Sequence, residues 1–452
     1  MHRPFIYGVA TSSYQIEGGI GEHGAGTSNW TVFSQKPGNI SNFENGNIAC
    51  DHYHLWADDI DLMHEMGIQS YRFSISWSRI FPDNSGKVNE EGLLYYERIL
   101  HKLQSLNIEP MITLYHWDLP QWLEERGGWS NPDIIEHFCT YSLTVFKRFN
   151  KFCDKWITLN EPWVFLHKGY ITGEHAPGIE DLSTAGRSYV NILRSHVLAA
   201  SKMRSEAPHI EIGIACNVSY IEPATSNNAD IVAASTFESY INSLFLDPWI
   251  RGSIPTVAWT LFKKDLPDKW LSDASELITQ HDFVGLNYYS KTTIKSNQSV
   301  FLGAEITTSG LPETSMGWEI YPDGLTWILK WAFDTYKLPI YITENGAAFH
   351  DELLPSGDID DVDRIDYFKS HLDSMQNAIK SGIPVLGYYA WSFLDNFEWE
   401  AGYEKRFGIV YVDFKTLQRT MKKSGEFYRD YIKNHNRLMV NFSQKSTIQL
   451  SQ

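Results

Sequence analysis

Eight short runs of apolar and β-branched residues recur along the chain, and stretches with helical periodicity lie between them. The runs begin near Phe5 (FIYGVA), Ser70 (SYRFSISW), Glu109 (EPMITLYHW), Trp156 (WITLN), Glu211 (EIGIACNV), Phe283 (FVGLNYY), Pro339 (PIYITEN) and Pro384 (PVLGYYAW). Each is too short for a helix and too continuously apolar for a sheet wet on one face, which predicts buried parallel strands. Residues 53–67 place Leu55, Ile60, Leu62, Met63 and Met66 at helical spacing and stop at Gly67. Residues 90–106 carry a similar stripe, with acids first and bases later, as the helix dipole prefers. Asn131 followed by Pro132 reads as a cap and a first-turn proline opening a helix over 132–149. Further helices are predicted over 183–206, 322–336 and 364–380.

Strand and helix alternating over the whole length predict an α/β protein with a parallel sheet under helical cover. Eight units point to a closed (β/α)8 TIM barrel with long βα loops. Two Rossmann-like halves are the alternative, weakened because no GxGxxG follows a strand. No linker rich in Pro, Gly and Ser divides the chain, so one domain is expected over residues 1–433, with a tail at 434–452 whose signals are weak.

Length alone, 452 residues, suggests two or three domains. Barrels routinely exceed an ordinary domain's size, so the single-domain reading stands. A net charge of −17 argues against nucleic acid or an anionic membrane as partner, because both need Lys and Arg against phosphates. The four cysteines, at 50, 139, 153 and 216, form no CxxC pair and no disulfide scaffold. The opening residues lack a signal peptide's apolar core, and no stretch of about 18 apolar residues occurs, so a cytoplasmic protein without a membrane span is expected. No metal is expected: His52 and His54 sit two apart, on different helix faces, and HExxH is absent. No GxxxxGK[ST] supports phosphate chemistry, and no cofactor is expected. Aromatic content is high, with 16 Trp, 24 Tyr and 24 Phe, which serves either as core filler or as platforms for the flat faces of a ligand.

In a barrel, catalytic groups belong at the carboxyl ends of the strands. The fourth run ends Asn160-Glu161-Pro162, and the proline keeps Glu161 out of the right-handed helical region at the mouth. The seventh ends Glu344-Asn345-Gly346. Taken singly, Glu before Pro can open a helix and Asn-Gly can close a hairpin. Two carboxyls at one mouth fit glycoside hydrolysis, where one must be a protonated acid and the other an ionised base or nucleophile. Arg72 in the second run is a candidate cation beside Glu344, and a structural ion pair is the plainer reading. Other strand ends are polar in a way that suits a sugar: Gln15, His116, Asn287 and Tyr289, then Trp391 with Glu398 and Trp399 beyond.

From about residue 5 to about 430 the chain resembles glycoside hydrolase family 1, the β-glucosidase and β-galactosidase family. The motifs that carry the likeness are FIYGVATSSYQIEGG at the start, SYRFSISWSRIFP at 70–82, LYHWDLPQWL at 114–123, TLNEPW at 158–163, GLNYYS at 285–290, MGWEIYPDGL at 316–325, YITENGAAF at 341–349 and YYAWSFLDNFEWEAGYEKRFGIVYVD at 388–413. The resemblance implies a (β/α)8 barrel and hydrolysis with retention at the anomeric carbon. It implies Glu161 as acid/base and Glu344 as nucleophile, with Arg72 and Tyr289 holding the nucleophile and Asn287 beside them. It implies Gln15, His116, Asn160, Glu398 and Trp399 as ligands of the glycone, Trp391 as its stacking floor, and Trp318, with Trp163, at the aglycone mouth. The implied activity is that of an exo-acting β-glucosidase with room for β-fucoside and β-galactoside, its partner a small β-glycoside or oligosaccharide. The intact Phe397-Glu398-Trp399 differs from the Ser- and Lys-bearing loop of the branch that takes 6-phosphorylated sugars, and Glu161 from the Gln of thioglucosidases. Asn29, Thr31, Met421 and Phe427 depart from common family residues and bear on local packing.

Overall fold

All eight runs form strands, and the strands close on themselves. A computed structural model of the protein describes residues 4–435, so the predicted tail lies outside the described residues from 436 onward. The strands are β1 (Ile6–Ala10), β2 (Ser70–Ser74), β3 (Glu109–Tyr115), β4 (Lys155–Asn160), β5 (Glu211–Pro223), β6 (Phe283–Ser296), β7 (Ala304–Thr307), β8 (Ile340–Asn345) and β9 (Val385–Trp391). Each of β1 to β5 pairs in parallel with the next, β5 with β6, β6 with β8, β8 with β9, and β9 with β1. This is an eight-stranded parallel barrel with helices, the TIM fold. Strand β7 is outside the ring and pairs antiparallel with the far end of β6.

The barrel keeps two layers of apolar packing. Ala10, Met111, Ile157, Ala215, Phe283, Tyr341, Tyr389 and Trp391 form one buried group contributed by alternate strand positions around the ring. A much larger group joins the outer faces of the strands to the helices. Large and small residues interdigitate: a Cβ on Gly213 would fall 2.3 Å from the Phe283 ring.

Predicted helices appear at His52–Glu65, Glu90–Ser105, Ile134–Phe149, Leu182–Glu206, Pro322–Tyr336 and Val362–Lys380. Glu90–Ser105 buries Leu93, Tyr96, Ile99, Leu100 and Leu103 on its inner stripe, opens with Glu90 and Glu91 and has Lys102 in its last turn. The helix expected from Asn131 starts later. Its first residue is Ile134, and Asn131 Oδ1 accepts from the Asp133 N–H in a turn that precedes the helix. His52 and His54 do face different ways. His52 is buried against Asp59, and His54 is exposed beside Glu22 and Asp51.

Two features escape the periodicity. Strands β5 and β6 run past the barrel as a two-stranded ribbon, pairing through Tyr220–Lys291 to Pro223–Ile294. Val410–Val412 (β10) and Arg419–Met421 (β11) make a short antiparallel pair beside the loop that follows β9. The unusual SNWTVF stretch is a capped turn. Ser28 and Thr31 cap each other reciprocally, and Asn29 Oδ1 accepts from the N–H groups of Trp30 and Leu119. Among the described residues no helix is long and apolar enough to cross a membrane.

Candidate active site

Strand β4 delivers Asn160 and then Glu161 to the barrel mouth. Glu161 takes φ 47 and ψ 60, the left-handed region that an ordinary side chain seldom occupies, and its N–H is tied to the Ala215 carbonyl at 2.7 Å. Pro162 follows as the first residue of the helix Pro162–Leu166. Strand β8 delivers Glu344 as its penultimate residue. Gly346, just beyond, lies so close to β9 that a Cβ there would stand 1.7 Å from the Trp391 carbonyl oxygen. The glycine of this Asn-Gly pair thus serves close packing against β9.

Both carboxyls line one cavity of about 450 Å³, together with His116, Asn287, Tyr289, Trp318, Trp391, Glu398 and Trp399. Arg72, Gln15 and Asn160 stand behind this wall, fully buried. Arg72 Nη1 donates to Glu344 Oε1 at 2.5 Å, and Nη2 to Asn160 Oδ1 at 2.5 Å. Tyr289 donates its hydroxyl to the other oxygen of Glu344 at 2.6 Å. Asn287, expected beside Glu344, makes its direct amide hydrogen bonds to Glu161 Oε1 at 2.9 Å and Asn160 Oδ1 at 3.1 Å. Thr343 donates to Asn287 Oδ1 at 2.6 Å and fixes which way that amide points.

The two carboxyls have different electrostatic surroundings. Burial pushes Glu161 up to about 8, and the charge of Glu344 adds to the push. Burial also raises Glu344 above the usual carboxylate range, and the Arg72 guanidinium, the Tyr289 hydroxyl and the Asn287 amide offset part of that rise. Glu161 is therefore the group that holds a proton, and Glu344 the one supported as an anion.

At the other wall Gln15 Nε2 donates to the Phe397 carbonyl at 2.9 Å, to Asn396 Oδ1 at 3.1 Å and to Glu398 Oε2 at 3.3 Å. Asn160 donates to His116 Nε2 at 3.1 Å, leaving Nδ1 of His116 without a protein partner. Burial keeps this imidazole well below its usual range and so neutral. His116 lies nearly parallel to Trp391, with ring centroids 5.8 Å apart. Trp318 packs on Tyr289 and Phe407 at the cavity wall. Trp163, expected near the mouth, packs instead on His167 and Tyr240 and does not line the cavity.

Sequence reasoning passed over Trp117, Lys168, His175, Lys291, Glu400 and Phe407, which also face the cavity. Only Trp117 and Glu400 adjoin residues singled out from the sequence; Lys291 lies midway along β6, Lys168 in a helical turn after β4, and His175 and Phe407 in loops, where no strand end points at them. Among the described residues, no group of three or more His, Cys, Asp or Glu could hold a metal ion. The arrangement provides a proton donor, a supported anion and aromatic planes around one cavity. That set suits attack at an acetal carbon.

Residues 1–437 match the model of glycosyl hydrolase family 1. β-Glucosidase A of Thermotoga maritima is 45% identical over 433 residues, covering 95% of this chain and 97% of that protein. A bifunctional β-D-glucosidase/β-D-fucosidase of Bifidobacterium breve is 36% identical, covering 95% of this chain and 98% of its own length. The solved structure of the Thermotoga maritima family 1 β-glucosidase superposes with a TM-score of 0.93 over 96% of this chain and 98% of that one.

Proposed function

The chain belongs to glycosyl hydrolase family 1, and from that premise we propose that it is a retaining, exo-acting β-glucosidase. Its substrates are non-phosphorylated β-glucosides and short β-linked oligosaccharides, with β-fucosides and β-galactosides as further possibilities for the same glycone site. The observation that carries the reading is the pair of buried carboxyls in one cavity, Glu161 pushed toward its acid form and Glu344 held by Arg72 and Tyr289.

In the first step an oxygen of Glu344 attacks the anomeric carbon from the face opposite the leaving group. The glycosidic C–O bond breaks, and the proton of Glu161 passes to the departing oxygen. The product is a glycosyl ester on Glu344 and an ionised Glu161. Esterification removes the negative charge that helped keep Glu161 protonated, so Glu161 becomes the stronger acid and is suited to act next as a base. Water gives a proton to Glu161 as its oxygen attacks the anomeric carbon, and the ester bond breaks to restore the Glu344 carboxylate. Two inversions give net retention. This double displacement calls for carboxyls about 5–5.5 Å apart.

Asn160, held by Arg72 and Asn287 just behind the cavity wall, is assigned the hydroxyl next to the reacting carbon. His116, Glu398 and Trp399 serve the remaining hydroxyls, with Gln15 behind them holding Glu398 and Trp391 beneath the ring. Glu398 offers no positive charge to a phosphorylated glycone. The reading treats residues 1–433 as one catalytic unit. It takes the enzyme to work in the cytoplasm, which four unpaired, buried cysteines support.

The test is an initial-rate panel of aryl β-glycosides, 6-phospho-β-glucosides, cellobiose and longer oligomers, with the first-formed anomer followed by proton NMR. Release of β-glucose from the non-reducing end is expected. Initial release of the α-anomer, or turnover confined to 6-phosphorylated substrates, overturns the reading.

A further inference from the structure

Outward from the two carboxyls, the cavity passes a charged trio that the mechanism above does not use. Lys168 Nζ reaches Glu400 Oε1 at 2.5 Å and His175 Nε2 reaches Glu400 Oε2 at 2.6 Å, and all three side chains line the cavity. Lys168 and His175 come from the segment after β4 that begins with Glu161, and Glu400 from the loop that carries Glu398 and Trp399. The ion pair therefore bridges the loop of the proposed acid to the loop of the glycone ligands.

Depth places the trio relative to the reacting carbon. Glu344 and Glu161 are almost fully covered, whereas the Glu400 side chain is 36% exposed and that of Lys168 29%. A sugar ring seated at the deep end puts its leaving group on this outer side, next to the group that protonates it.

The trio also has hydrogen-bonding capacity to spare. His175 is 3% exposed and its Nδ1 has no partner. Burial lowers its imidazole pKa and the Glu400 carboxylate offsets part of that, and Nε2 is directed at Glu400. Each carboxylate oxygen of Glu400 has a further lone pair, and Lys168 has a third N–H beyond those directed at Glu400 and Glu174. The spare lone pairs of Glu400 and the spare N–H of Lys168 at the cavity match the donors and acceptors of a vicinal diol. An aryl or alkyl leaving group has nothing to offer them.

We propose that Glu400, held between Lys168 and His175, is a specificity-determining residue that binds hydroxyl groups of the sugar unit being released, so that this enzyme's preferred leaving group is itself a sugar. The proposal rests on the β-glucosidase reading and deepens it by naming the aglycone class.

The test compares kcat/KM for cellobiose with kcat/KM for p-nitrophenyl β-glucoside in the wild type, Glu400→Ala and Glu400→Gln. Losing one hydrogen bond to a charged group lowers the cellobiose-to-aryl ratio by about tenfold to a hundredfold in Glu400→Ala. Glu400→Gln, which keeps one acceptor oxygen, recovers part of that ratio. A general disturbance of the fold lowers both rates and cancels in the ratio. A ratio within about twofold of wild type in Glu400→Ala overturns the proposal, as does a wild type that hydrolyses the aryl glucoside but not cellobiose. A wild type that cleaves neither substrate overturns the β-glucosidase reading itself, so the two failures are distinct.

Discussion

Asn287 donates its side-chain amide to Glu161 at 2.9 Å while its backbone stands in register with Glu344 on the neighbouring strand. One residue thus joins the two carboxyls to which the proposed mechanism gives the acid and the nucleophile. By donating to Oε1 of Glu161 it leaves the other oxygen to carry the proton. Thr343, the residue before Glu344, orients the same amide. The acid and the anion are therefore positioned by one connected set of hydrogen bonds across β4, β6 and β8.

Removing each carboxyl separates their roles. Glu344→Gly abolishes hydrolysis and, given β-glucosyl fluoride and azide, yields the α-glucosyl azide, because azide enters from the side the carboxylate vacated. Glu161→Gly retains attack on activated aryl glucosides and yields the β-glucosyl azide, since the ester still forms on Glu344. Product stereochemistry by NMR checks both. Normal hydrolysis by Glu344→Gly rules out its role as nucleophile.

The pH profile follows from the same pair. kcat/KM rises as Glu344 loses its proton and falls as Glu161 loses its own, giving a bell whose limbs belong to the coupled pair. Burial and the Glu344 charge put Glu161 near 8, so the alkaline limb lies on the basic side of neutrality. In Glu161→Gly with a dinitrophenyl glucoside the alkaline limb disappears. A limb that persists there assigns it to another group.

Arg72→Met removes the guanidinium that pulls Glu344 down. The acid limb moves up by roughly one to three pH units. The maximal rate also falls, because the nucleophile loses its only cationic donor and keeps the neutral hydroxyl of Tyr289 and amide of Asn287. Rate profiles of the variant and the wild type on one aryl glucoside measure the shift, and an unmoved acid limb contradicts the role given to Arg72.

A buried charge network supports the glycone loop. Asp395 accepts from Lys422 Nζ at 2.7 Å and Arg406 Nη1 at 2.6 Å, and it lies three residues before Glu398. Lys422 also meets Asp351, which Arg364 holds at 2.8 Å. Asp395→Ala leaves Arg406 without a carboxylate and Lys422 with Asp351 alone, and costs about 3–5 kcal/mol. Lys422→Met costs less, because Asp395 keeps Arg406 and Asp351 keeps Arg364. Urea denaturation of the two variants checks the order, and equal or reversed costs contradict it.

The strands were legible because burial on both faces writes itself as a continuous apolar run, and the helices because one wet face leaves a stripe. Glu161 and Glu344 were legible because strand ends in a barrel point to one mouth. Lys168, His175 and Glu400 were not, since no strand end or helical stripe marks a side chain that turns inward from the short helical turns and loops beyond the strands. The ribbon extension of β5 and β6 was hidden for a related reason. Its residues, such as Tyr220 and Thr292, mix polar and apolar types and pair with each other and with β7, beyond the barrel's apolar signal.

By itself the sequence determined the eightfold alternation, the two mouth carboxyls and the family motifs, all of which are properties of residues near one another in the chain. Only the tertiary structure decided that Asn287 bonds Glu161 directly, that Gln15 and Arg72 stand behind the cavity wall, and that an ion pair bridges two loops at its mouth. Those facts depend on contacts between residues dozens to hundreds of positions apart. Their energies come from burial and geometry that exist only once the barrel has closed.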